Sequence, residues 1–220
     1  MKKTNLILAI AMQLIFVPLI FGNISPVPNT SSVKGQNWFI VSAEQTWEAE
    51  EIVMIQELLT TVISALDEQG LDGQALLTGY RFRRQHGEYI TGYPGRIAVV
   101  NHETQEITLA DAAFKRLHGF YIIHELGHVV DRRTGRQLTT TFHNLASSDM
   151  EHRSTAPGYW LNLHAEHDLE EATADAFALW ILSIYDAGYR PFFAHTPATA
   201  DYAEITAVLV TSLNSVALAQ

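Results

Sequence analysis

The sequence predicts one α+β domain over residues 37–220, mostly helical, with a small antiparallel sheet ahead of a buried helix. Three observations carry this expectation. Ile52, Ile55, Leu58, Leu59, Val62, Ile63 and Leu66 recur at a helical period. Residues 80–109 then break into short alternating segments separated by turn residues. The run FYIIHELGHVV follows, apolar enough on most of its surface to be buried as a helix.

Composition bounds the rest. The chain has 220 residues, 47% of them apolar, which is enough for one domain with a real core. A net charge of -10 argues against nucleic acid or an anionic membrane surface as a partner. There is no cysteine, which excludes disulfides and thiolate metal ligands. Lys2 and Lys3 precede an apolar run from Leu6 to Phe21, the order of a secretory signal, so residues 1–24 read as a signal peptide. The rest of the chain is then expected to be secreted or otherwise extracytoplasmic. Pro18 interrupts a run already short for a membrane span, and Gly22 is the nearest small residue for cleavage; an uncleaved signal anchor is the alternative. Residues 25–36, rich in Ser, Asn and Pro, read as a linker.

Taken in order, Trp38–Val41 is an expected strand. Ser42 with Gln45 forms an expected capping box for a helix from Glu44 to Asp67, which Gly70 ends. Tyr80–Arg84, Arg96–Asn101 and Glu106–Leu109 are expected strands, the last two joined by a turn at His102–Gln105. The apolar helix comes next, with Phe114, Leu117, Tyr121, Ile122, Ile123, Leu126, Val129 and Val130 on its surface. Arg132–His167 is long for a structureless connection and reads either as a lid or substrate-binding wall or as a variable surface insertion. Asp168–Leu182 is a second expected helix with Trp180 and Ile184 turned inward, and Asp201–Ala217 closes the domain on Ile205, Leu209 and Leu213.

The chemistry lies in His124-Glu-Leu-Gly-His128. Histidines four apart on a helix stand one turn above each other, so their imidazoles can converge on one ion. Glu125 lies about 100° round the helix, placed to reach a water on that ion without ligating it. This is the H-E-x-x-H pattern of zinc hydrolases. A catalytic zinc takes three protein ligands and leaves a position open. A glycine three residues and a histidine six residues after His128 would place the third ligand nearby, but Asp131 and Thr134 stand there. The downstream helix offers Glu171, which shares a face with Ala174, Asp175 and Ala178. The alanines permit close approach, and Asp175 is placed to hold a histidine's second ring nitrogen. Glu170 faces elsewhere. The alternative is that both glutamates merely favour a helix N-terminus, leaving His164 or His167 as third ligand. The isolated His86, His102, His118, His152 and His195 read as surface or hydrogen-bonded histidines.

HELGHVVD followed by EEATADAF resembles the gluzincin zinc metallopeptidases, in particular the anthrax lethal-factor-like group with H-E-[FL]-G-H-x-[VI]-D and E-x-x-A-[ED]-A-F. Helix, twisted sheet and metal-bearing helix is also the zincin-like order. The resemblance implies one Zn2+ held by His124, His128 and Glu171, with Glu125 as general base activating a zinc-bound water and with Asp131 and Asp175 in support. Many members carry a tyrosine shortly before the third ligand to stabilise the oxyanion. Here His164 is nearest and Tyr159 lies a few residues earlier, so that role stays unassigned. The expectation is a secreted zinc metallopeptidase acting on a protein or peptide. Other readings are a non-peptidase zinc hydrolase, a toxin-like effector, or a metal-binding protein without turnover.

Overall fold

Trp47 ties the start of the fold together: its indole N–H donates to the Ile40 carbonyl at 3.0 Å and its ring packs edge-on against Phe39 and Phe114. The structure, a computed structural model, describes residues 32–33, 36–41, 46–115, 117–150, 168–186 and 202–219. The expected signal peptide, 1–24, lies outside them. Among the described residues no helix is long and apolar enough to cross a membrane. At the end of the expected linker, 25–36, β1 (Ser32–Val33) pairs antiparallel with β2 (Gln36–Asn37).

The chain is a mixed α+β fold, mostly helical, around a small four-stranded sheet. Helix α1 (Ala49–Glu68) starts five residues later than expected, because Trp47 holds the preceding segment on β3 (Phe39–Ile40). Glu48 and Glu51 supply its capping box; Ser42 and Gln45 lie outside the described residues. Gly70, at φ 82, ends it in the left-handed conformation that glycine tolerates. A short helix α2 (Gly73–Leu77), capped by Asp72, leads to β4 (Arg81–Arg84).

The expected antiparallel sheet is in fact mixed. Strand β5 (Ala98–Asn101) and β6 (Glu106–Leu109) form the antiparallel hairpin, but β6 pairs parallel with β4, and β4 pairs parallel with β3. The order is β3-β4-β6-β5. Alternation identifies strands without choosing their partners. Here α1 and α2 form the crossover that a parallel β3–β4 pair requires, and the loop 85–97 carries the chain past β6's place so that β5 lies at the edge.

The apolar run after the sheet is also broken into pieces. Helix α3 (Asp111–Lys115) and a 3-10 turn (Leu117–Gly119) precede α4 (Phe120–Arg133). His118 and Gly119 are left-handed, at φ 48 and φ 84. The positive φ at Gly119 favours glycine, and a Cβ there would also stand 2.7 Å from Leu58 Cδ1 of α1. Arg84 binds this corner to the rest: its buried guanidinium is paired with Glu51 of α1 and Asp111 of α3 and lies over the Phe114 ring.

Part of the Arg132–His167 connection is a helix, α5 (Gln137–Met150), with Leu138, Phe142 and Ala146 buried. Helix α6 (Leu169–Tyr185) is buried on all sides from Ala172 to Leu182, as an apolar helix through the centre of a domain must be. It packs against α1, α4, α5 and α7 (Tyr202–Leu218); α7 also packs on α5, and its Ile205, Leu209 and Leu213 are buried as expected. Trp180 is buried, but Ile184 is 49% exposed, because α6 leaves the core over its last turn.

Helices α4 and α6 touch at Gly127, where an added Cβ would meet Ala174 Cα at 3.1 Å and Phe177 Cβ at 3.2 Å. The first of these is backbone and cannot rotate away. Gly127→Ala is therefore expected to push the helices apart and to cost about 1–3 kcal/mol, the usual range for overpacking, despite alanine's better helix propensity. Urea denaturation measures this; unchanged or increased stability would show that the contact is loose.

Candidate metal centre

The α4–α6 contact brings three side chains from distant positions together. His124 and His128 project from α4 one turn apart, with Nε2 atoms 3.1 Å from each other. Glu171 comes from the first turn of α6, where Asp168 caps the helix by accepting from the Glu170 and Glu171 amides. Its Oε2 is 3.1 Å from His124 Nε2 and 3.9 Å from His128 Nε2. Among the described residues, these three form a group whose ligand atoms all lie within 4.8 Å of one another.

Those separations fit a zinc-sized ion. Ligand atoms about 2 Å from a tetrahedral ion lie roughly 3.3 Å apart, from the bond lengths alone. The donor set also fits: two imidazole nitrogens and one carboxylate, with one position left over. Asp175, one turn after Glu171, holds the first histidine. Its Oδ1 is 2.8 Å from His124 Nδ1, and both side chains are buried. A proton on Nδ1 donating to Asp175 leaves the Nε2 lone pair turned toward the group.

The carboxylates around His124 favour its protonated form. Burial works against a charged His124, but hydrogen bonds to Asp175 and Glu171 outweigh it and hold its pKa up at about 10. Burial would raise Glu171, yet the two histidines pull it well below the usual carboxylate range. An incoming cation must displace that proton, so metal binding is coupled to proton release.

Glu125 stands beside this group. It is buried, and its Oε2 accepts from the Val100 amide of β5 at 2.8 Å. It lines a cavity of about 260 Å³ together with Tyr93, Arg96, Val99, His102, His128 and Glu171. A larger open groove, lined by Val53, Glu57, Thr61 and Tyr185, has no histidine among the described residues of its walls.

The remaining sequence expectations divide. Glu170 pairs with Arg136 at 2.6 Å and takes no part in the cluster. Asp131 supports a neighbouring helix rather than a histidine: it accepts from the Thr139 amide at 2.8 Å and the Thr139 hydroxyl at 2.9 Å, in the first turn of α5. Tyr159, His164 and His167 lie outside the described residues, as do His152 and His195. His86 and His118 are exposed beside Asp111 and Asp186. His102 lines the cavity, with Nδ1 2.8 Å from the Tyr80 hydroxyl. Sequence reasoning missed its place there, and it missed Arg96, whose Nη1 donates to Glu171 Oε1 at 3.2 Å. Both flank β5, and only the strand order puts that strand beside α4.

The chain matches no protein-family model, no curated protein and no solved structure.

The geometry distinguishes the two adjacent glutamates. Glu171→Ala should lower zinc affinity by at least tenfold, with the metal restored only at higher zinc. Glu170→Ala should leave affinity within twofold of the parent, since it removes an exposed surface ion pair. Isothermal titration with zinc reads both; the reverse ranking would place the third ligand on the wrong face of α6.

Proposed function

We propose that this chain is a secreted, zinc-dependent, zincin-like metallopeptidase that hydrolyses peptide bonds. The observation that carries the reading is the group of His124, His128 and Glu171, the last two of which line one cavity with Glu125. A bound zinc would supply a Lewis acid that polarises a carbonyl and acidifies a water. Everything else is work for the chain's own side chains. His124, His128 and Glu171 would hold the ion, with Asp175 fixing the ring of His124. Glu125 would take a proton from the attacking water and return it to the leaving amine. Its carboxylate is turned toward the cavity wall by the Val100 amide, so its position is set before a substrate arrives.

A peptide, rather than another hydrolysable substrate, is favoured by β5. It is an edge strand of the sheet and lines the cavity through Ala98, Val99 and Val100. The Val100 amide points off the edge to Glu125, so strand alternation puts the Ala98 amide and carbonyl on the same open edge. An extended peptide can add to such an edge through its main chain, across the mouth of the site. Action outside the cytoplasm rests on the Lys2-Lys3 and Leu6–Phe21 pattern.

Glu125→Gln tests the reading. It keeps the side chain's size and removes its basicity. Zinc content and melting temperature should stay near the parent's, and hydrolysis of a casein and peptide panel should fall ~10²–10⁴-fold. Undiminished hydrolysis by this variant would remove Glu125 from the mechanism. A parent that binds zinc but cleaves only non-peptide esters or amides would redirect the reading to another zinc hydrolase.

A further inference from the structure

Glu171 turns its two oxygens in different directions. Oε2 faces the Nε2 atoms of His124 and His128, at 3.1 Å and 3.9 Å. Oε1 accepts from Arg96 at 3.2 Å. Arg96 arrives from the β4–β5 loop, 75 residues earlier in the chain, and is the only arginine or lysine among the described residues lining the cavity. Its side chain is 44% exposed while that of Glu171 is 13% exposed, so the pair spans the cavity mouth and its floor.

We propose that Arg96 is a positioning residue that restricts Glu171 to ligation through one oxygen and so keeps a coordination position open for water and substrate. The inference rests on the metal site proposed above. A carboxylate can bind a metal through one oxygen or both. The terminal torsion of a glutamate is broad, so nothing intrinsic to Glu171 selects one mode. His124 is fixed by Asp175, and the guanidinium gives Glu171 its own fixed partner on the side away from the rings. If Oε1 swung inward as well, Glu171 would occupy two positions, including the one that chemistry requires.

This role differs in sign from ordinary ligand support. Losing Asp175 would weaken metal binding. Losing Arg96 removes a cation that repels the metal and frees a second oxygen to bind it, so affinity should rise while turnover falls. Arg96→Met keeps the length of the side chain without its charge, and Arg96→Lys keeps a charged donor. In the full chain, Arg96→Met should bind zinc several-fold more tightly. Its cobalt-substituted form should absorb more weakly in the visible, because five-coordinate cobalt absorbs less than four-coordinate cobalt. Arg96→Lys should return the parent spectrum. Parent-like cobalt absorption in Arg96→Met, or zinc bound more weakly than by the parent, would overturn the proposal. His124→Ala run alongside separates the two levels. If it loses zinc while Arg96→Met behaves as the parent, only the role of Arg96 fails; if it retains zinc, the metal site fails and takes this role with it.

Discussion

The close contact between α4 and α6 is the constraint on which the site depends. Gly127 stands between the two histidines, and its missing side chain lets Ala174 Cα come within 3.1 Å of where a Cβ would be. At that spacing Asp175 reaches His124, and Glu171, one turn earlier, reaches both rings. The small residues at 127 and 174 therefore set the geometry of their large polar neighbours. Because both partners are helices packed through the core, the cluster is held by rigid elements rather than by loops.

That contact places charge where it is expensive. His124 is only 7% exposed, Asp175 1% and Glu125 5%, and an uncompensated buried charge costs several kcal/mol. Each group has a partner that offsets part of this. Asp175 has the His124 ring, Glu125 has the Val100 amide, and Glu171 has His124 and Arg96. With both histidines neutral, as metal ligands must be, the three carboxylates are left facing one arginine. A bound dication is the simplest complement to that excess. The sheet contributes through its order rather than its size: placing β5 at the edge puts Val100 against Glu125 and Arg96 against Glu171.

Much of this was legible in the sequence. Periodicity located α1, α4, α6 and α7, and the spacing of Glu171, Ala174 and Asp175 identified the face that meets α4. The pairing of Asp175 with His124 follows from the same spacing. What could not be read depended on non-local partners. Strand alternation located β4, β5 and β6 but said nothing about which edges meet, so the mixed sheet was missed. The break at His118–Gly119 sits against Leu58 on α1, far away in the chain. Arg96 and His102 belong to no motif; they enter the site because β5, the strand between them, lies on the sheet edge next to α4. The late start of α1 has the same character, since the side chain that delays it bonds to a strand.

The most direct measurement is anomalous diffraction at the zinc edge from crystals grown with one equivalent of zinc. The account predicts one strong peak, roughly 2.0–2.2 Å from His124 Nε2, His128 Nε2 and a single oxygen of Glu171. No peak in that triangle, or a peak ligated by other side chains, would contradict it.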